Sequence, residues 1–206
     1  LVSHRRLSNG DDKPYELNIS WWSAMEDSSR DAKRFQYERF ILSQLLVMAL
    51  KGVPAFYLPA LLASENDIKS FSMTGQRRDL NREKFKSENL LAVLNNPESN
   101  ANKNLKYLRN AMDVRSELKQ FHPCSEMKCL SKGRSDIVVI KRGKGPESVF
   151  AIHNMTENKI NYQLNDNDLP KIIDNDFNTH DFLTSTKYNC KNISLDPFQV
   201  IWLSAL

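Results

Sequence analysis

The chain has 206 residues, room for one large domain or two small ones but not for a complete eight-stranded barrel plus a second domain. Hydrophobic residues make up 40% and charged residues 26%, a composition that buries a core and excludes disordered and collagen-like classes. The net charge of +4, from 29 basic and 25 acidic residues, is too balanced to argue for nucleic acid, and the apolar run Phe40 to Leu50 falls short of the roughly 18 to 20 residues of a membrane span.

Residues 1 to about 123 read as helical with one strand-like interruption, and the pattern changes near His122-Pro123, dividing the chain into 1–123 and 124–206. Ser28 to Leu50 is expected as a helix, apolar nearly all round toward its end and stopped by Lys51-Gly52. Val53 to Leu58 is a short apolar run between turn signals, which fits a parallel strand buried on both faces. Helix, glycine turn and buried strand together are α/β grammar. Further helices are expected over Glu83 to Leu94 and Ala101 to Phe121, the latter with Leu105, Leu108, Met112 and Leu118 near one face. In the second part Asp136 to Lys141, Ser148 to His153, Lys159 to Leu164 and Phe198 to Leu203 read as strands, with His180 to Tyr188 less clear. They make a small antiparallel sandwich, with Asn165 to Asn178 as a long polar loop.

Several groups are weighed for chemistry. The cluster Lys141-Arg142-Gly143-Lys144-Gly145 lacks the order of a phosphate-binding loop and reads as a solvated hairpin. His122, Cys124, Cys129 and Cys190 lack paired CxxC spacing, so reduced cysteines are expected rather than a metal centre, in a reducing cytoplasm. Three triplets, beginning at Asn18, Asn154 and Asn192, match the glycosylation pattern, which matters only after secretion. The chain opens on Leu1 without a signal segment and reads as a processed product or a piece of something longer. The segment Ser64 to Glu83 is unusually polar for one that follows a buried strand, and in a parallel barrel such loops carry the chemistry. Arg77, Arg78 and Arg82 offer planar donors for sugar hydroxyls, carboxylates or phosphates. A solvated charged loop is the competing reading.

Four blocks carry a resemblance: Pro14-Tyr15-Glu16-Leu17-Asn18-Ile19, Gly52-Val53-Pro54-Ala55-Phe56-Tyr57, Leu61-Leu62-Ala63-Ser64-Glu65-Asn66-Asp67 and Thr74-Gly75-Gln76-Arg77-Arg78-Asp79-Leu80-Asn81-Arg82-Glu83. In this order they resemble the C-terminal portion of the sucrose phosphorylase group of glycoside hydrolase family 13, and the tail through Leu206 is similar to the C-terminal β-domain of the wider amylase family. The resemblance implies the C-terminal part of a (β/α)8 barrel followed by a small antiparallel β-sandwich. Residues 1–27 would be the loop after strand 7, Ser28 to Leu50 helix 7, Val53 to Leu58 strand 8 and Glu83 to Phe121 the helix 8 region. It implies a retaining α-glucosyl-transferring enzyme, a disaccharide phosphorylase acting on sucrose or a related glucoside with inorganic phosphate. The three catalytic carboxylates of the family match no residue here, so no catalytic residue is assigned and the isolated chain is expected to be inactive. Arg78 matches an arginine that hydrogen-bonds the glucosyl unit, Tyr15 matches a tyrosine on the acceptor side, and Glu16 stands where some members carry glutamine, just as Lys13 stands where an aspartate occurs. Arg77, Asp79, Asn81 and Arg82 are expected to shape the loop, and Trp21 and Trp22 to pack in the core. No cofactor, metal, nucleic acid or membrane partner is expected. The alternatives are an α-glucoside hydrolase, a noncatalytic carbohydrate-binding or interaction module, and a nucleic-acid binder using the three arginines.

Overall fold

A computed structural model describes residues 1–27, 31, 33–165 and 178–204. The chain divides into two compact units, Leu1–Gln36 with Phe56–Tyr107, and Tyr37–Ala55 with Leu108–Leu206.

The first unit opens with an antiparallel hairpin, β1 (Val2–Arg6) against β2 (Asp12–Leu17), in which Val2 faces Leu17 and Arg5 faces Lys13. The turn is closed by Asn9-Gly10. Gly10 takes φ +89°, a conformation that costs residues with a Cβ, and the Asn9 amide group bonds Asp11 through both of its polar atoms. At the open end buried Asn18 donates its backbone N–H to Leu1 O at 2.7 Å and its Nδ2 to Ser3 Oγ at 2.7 Å. The expected loop over 1–27 thus contains a hairpin. Both strands are exposed on nearly every residue, so no apolar alternation announces them.

Val53 to Leu58, expected as a strand, has no strand partner among the described residues. Residues 53–57 lie in no sheet, Val53 is 81% exposed, and Leu58 already opens the short helix considered next in this unit. A parallel strand needs a ladder on each side for its N–H and C=O groups. Among the described residues every strand pairing is antiparallel and none reaches this segment.

In chain order the helices are α1 (Gln36–Ala49), α2 (Leu58–Leu61), α3 (Ile68–Thr74), α4 (Ser87–Asn95) and α5 (Asn100–Glu117). Helix α3 stands inside the segment read as a polar loop. Asp67 caps it by accepting from Ser70 N at 2.9 Å and Ser70 Oγ at 2.5 Å, and Gly75 ends it at φ +68°. Helix α5 buries Ala101, Asn104, Leu108 and Ala111, the three-and-four spacing of one helical face. Within the first unit Asn104 Nδ2 donates to Ala60 O and Leu61 O, holding the end of α2.

In the second unit α1 buries Phe40, Ile41, Leu42, Leu45 and Met48. The expected helix from Ser28 begins at Gln36, and residues 28–30 and 32 lie outside the described residues. Its terminal carbonyls are taken by two arginines: Arg115 donates to Met48 O and Gly52 O, both at 3.0 Å, and Arg142 to Ala49 O at 2.9 Å and Leu50 O at 2.7 Å. Cations suit a helix C-terminus, where the backbone leaves carbonyls unpaired and partial negative charge collects. Gly52 follows at φ +118°.

The strands of this unit are β3 (Met127–Cys129), β4 (Ile137–Arg142), β5 (Val149–Asn154), β6 (Ile160–Tyr162), β7 (Asn178–His180), β8 (Lys187–Asn189), β9 (Ile193–Leu195) and β10 (Val200–Ser204). Four form a sheet in the order β10-β5-β4-β3, while β6 pairs with β9 and β7 with β8. Ile137, Val139, Phe150, Ile152, Ile201 and Leu203 from that sheet share one apolar core with Leu164, Cys190, Ile193 and Leu195. Alternate residues reach the other face, where Trp202 meets Phe121 with ring centroids 4.7 Å apart. The polar stretch Asn165 to Asn178 lies mostly outside the described residues.

The reading of Lys141 to Gly145 as solvated needs a correction at Arg142, which is fully buried and also donates to His122 O at 3.0 Å. Its aliphatic stem and guanidinium find apolar cover and carbonyl partners that the local sequence does not show.

Candidate functional site

Within the first unit, Arg78 lies in a 3-10 turn, Arg77–Asn81, that follows α3. The turn is braced from several sides. Thr74 Oγ1 donates to Asp79 Oδ2 at 2.6 Å and accepts from Gln76 N, Asp67 N donates to Leu80 O at 2.7 Å, and Leu80 is buried beneath. Arg77 donates to Val2 O of β1 at 2.5 Å, fastening the turn to the hairpin. Arg77 and Asp79 therefore shape the loop, and Arg78 is left to project from it.

Arg78 Nε donates to Glu16 Oε2 at 3.2 Å, across 62 positions of sequence. Glu16, then Tyr15, hold the guanidinium above its ordinary pKa, so it is a permanent cation. The Arg78 side chain stays 51% exposed, and Tyr15 is 60% exposed. The fold thus brings Tyr15, Glu16 and Arg78 to one place. The carboxylate fixes the plane of the guanidinium, and a planar donor held in one orientation is what recognition of a sugar hydroxyl or an anion requires.

Tyr15 also borders an open depression of about 560 Å³ lined by Arg5, Arg6, Lys13 and Pro14. The sequence reading passed over it, because Arg5 and Lys13 meet only through the hairpin register. A second cavity, about 340 Å³, lies between the Leu62–Glu65 turn and α4, with Phe85, Leu90 and Val93 on its wall. Ser64 borders it with a buried hydroxyl that finds no hydrogen-bond partner among the described residues, next to Ala63 at φ +50°. Arg78 does not border this cavity.

Trp22 is core at 3% exposure, whereas Trp21 is 42% exposed. Asn66 braces the segment after the hairpin, its Oδ1 accepting from Ser20 N at 2.7 Å and its N–H donating to Ser23 Oγ. All three cysteines are free thiols, and burial pushes Cys190 up to about 11. No group of three His, Cys, Asp or Glu side chains able to hold a metal occurs among the described residues. Among the described residues no helix is long and apolar enough to cross a membrane.

No protein-family model matches the chain. Curated relatives do. A glucosylglycerate phosphorylase of Allomeiothermus silvanus is 31% identical over 157 residues, which is 76% of this chain and 28% of that protein. A sucrose phosphorylase of Streptococcus mutans is 24% identical over 155 residues, 75% of this chain and 29% of that protein. Among solved structures, the sucrose 6F-phosphate phosphorylase of Thermoanaerobacter thermosaccharolyticum superposes with a TM-score of 0.56 at 17% identity, over 73% of this chain and 27% of that one. The chain is a homologue of the glucosylglycerate and sucrose phosphorylases, and it spans between about a quarter and a third of their length.

Proposed function

We propose that the chain is the C-terminal part of a retaining α-glucosyl-transferring phosphorylase of glycoside hydrolase family 13, with residues 1–123 completing a (β/α)8 barrel and 124–206 forming a β-sandwich. The single observation that carries the reading is the convergence of Arg78, Glu16 and Tyr15, which the hairpin and the 3-10 turn bring together in a chain similar to two kinds of phosphorylase.

In such a reaction a carboxylate attacks the anomeric carbon as the glycosidic C–O bond breaks, and a carboxylic acid gives its proton to the departing oxygen. A phosphate oxygen then attacks the same carbon, the carboxylate leaves, and the phosphate proton returns to the waiting base. Glucose 1-phosphate is released with its configuration retained. Those carboxylates are assigned to polypeptide outside this chain, whose residues bind and orient. Arg78 donates to the hydroxyls of the glucosyl unit and is held in plane by Glu16. Tyr15 lines the side on which the acceptor leaves and phosphate enters. The substrates are a glucoside and inorganic phosphate, in a cytoplasmic setting.

Arg78→Ala, made in the polypeptide that carries this chain together with the catalytic carboxylates, is expected to lower kcat/KM for phosphorolysis at least about a hundredfold, because a positioned charged donor to the substrate is lost. An unchanged value removes Arg78 from the site. Release of free glucose in place of glucose 1-phosphate assigns a hydrolase instead.

A further inference from the structure

The cavity beside α4 lies apart from Arg78, and the chemistry proposed above leaves it unused. Its volume of about 340 Å³ is near the lower end of the roughly 300 to 1,000 Å³ of ligand pockets, room for one sugar ring rather than a chain. The surrounding backbone is firmly held. On one side the chain turns at Ala63, φ +50°, while Ser64 N donates to Pro59 O at 2.9 Å and Asn104 Nδ2 clamps Ala60 O and Leu61 O. On the other, Ser99 Oγ accepts from Asn102 N at 3.1 Å and donates to Val93 O at 2.7 Å, which fastens the corner between α4 and α5. The wall is mixed in character. Leu62, Phe85, Leu90 and Val93 are apolar, and Asn89 and Asn100 stand among them with side-chain amides that bond no described residue. Ser64, only 7% exposed, likewise leaves its hydroxyl without a partner among the described residues.

That mixture disfavours three kinds of guest. Among the described residues no Lys, Arg or His lines the cavity, whereas Glu65 and Glu83 both do, so an anion is repelled. A cation meets competition, because Glu65 is already paired with Lys33 at 3.8 Å. An apolar guest takes water from the two amides without replacing its hydrogen bonds, and covering a polar group in that way is unfavourable. We infer that the cavity binds a neutral polyhydroxylated ring, a pyranose, at a site separate from Arg78. Each amide offers an acceptor oxygen and two N–H donors, which neighbouring ring hydroxyls satisfy together. The Glu83 carboxylate accepts from a further hydroxyl, and the C–H face of the ring covers Phe85 and Leu90. This site does not rest on the phosphorylase reading: it holds a sugar whether or not the chain takes part in cleaving one.

The test titrates the 206-residue chain with glucose, methyl α-glucoside, inorganic phosphate and cyclohexanol while backbone amide signals are followed by NMR. Glucose and its methyl glycoside are expected to shift residues 62–65, 85–93 and 99–101 saturably in the millimolar range, with no saturable response to phosphate or cyclohexanol. Asn89→Leu is expected to weaken that response tenfold or more, and Arg78→Ala to leave it unchanged. Asn89 is exposed, so its replacement spares the fold, which an unaltered thermal melt checks; should the melt change, exposed Asn100→Ala carries the same test. Shifts confined to residues 15–16 and 77–79 assign sugar binding to the Arg78 site alone and overturn the inference. So do saturation by phosphate, saturation by cyclohexanol, a linear drift with every solute, and a glucose response that neither asparagine variant weakens. The longer polypeptide that carries this chain must show the same shifts. Their loss there means that other residues fill the cavity, which overturns the inference as well.

Discussion

The two units are finished to different degrees. In the second, Ile137, Val139, Phe150, Ile152, Ile201 and Leu203 are wholly buried on one face of the four-stranded sheet, and Trp202 is wholly buried on the other. In the first, Tyr15, Leu17, Ile68, Met73 and Leu91 are all at least 60% exposed. Its buried apolar residues are fewer, among them Trp22, Leu62 and Leu80, and polar fastenings stand beside them: Asn18 at the hairpin mouth, the Ser20–Asn66–Ser23 brace and the Asp67 cap. Apolar burial contributes roughly 25 cal/mol per Å², whereas a hydrogen bond nets about 1 kcal/mol after water is counted. The second unit therefore has the larger apolar core, and the first carries the exposed, chemically equipped loops.

The sharpest way to break that contrast is Phe150→Ala, expected to cost about 4 kcal/mol in denaturant unfolding because it opens a cavity in a fully buried core. A cost below about 1 kcal/mol sinks the claim that this core dominates. Next is Arg142→Met, which keeps the apolar stem but leaves the carbonyls of Ala49, Leu50 and His122 without their donor, for about 3 kcal/mol. A smaller effect is expected from pH. His153 is buried, with Nδ1 facing Val138 O at 3.2 Å, and burial pushes it down to about 4. In the unfolded chain it titrates near 6.5, so between about pH 6.5 and 4 the unfolded state takes up a proton that the folded state refuses. Stability is full above that window and falls on acidification, by about 2 kcal/mol between pH 7 and pH 5. Thermal melts of His153→Gln should lose less than the parent chain over the same interval. The smallest effect is Met73→Ser in the first unit: the side chain is 78% exposed, and the change in unfolding free energy should stay within about 0.5 kcal/mol.

Much of the second unit was legible from residue order. The β-branched and aromatic runs that mark β4, β5 and β10 coincide with strands to within two residues, and Gly52 ends α1 where expected. Strands β3, β8 and β9 are three residues each, too short for alternation to register. In the first unit the hairpin escaped because its strands have no buried face, leaving Asn9-Gly10 as the local cue. Val53 to Leu58 shows the converse. An apolar run states that cover is favourable, and says nothing of whether a neighbouring strand is present to supply it.

The candidate site divides in the same way. Arg78 and Tyr15 could be singled out from the motif blocks, yet the Glu16 carboxylate that orients Arg78 had been noted only as a departure from a glutamine. The Arg5–Lys13 face depends on register, since sliding the hairpin by one residue would send one of the two cations to the other side.

Residue order settled what local backbone chemistry controls: that β4, β5 and β10 are strands and that Gly52 follows the end of α1. Folding decided which distant groups answer one another, as when Arg142 reaches the carbonyl of Ala49 across 93 positions and Arg78 reaches Glu16 across 62. The reason is physical. A propensity acts over a few bonds, whereas an ion pair or a buried hydrogen bond depends on a distance in space that is set only when the whole chain has closed around it.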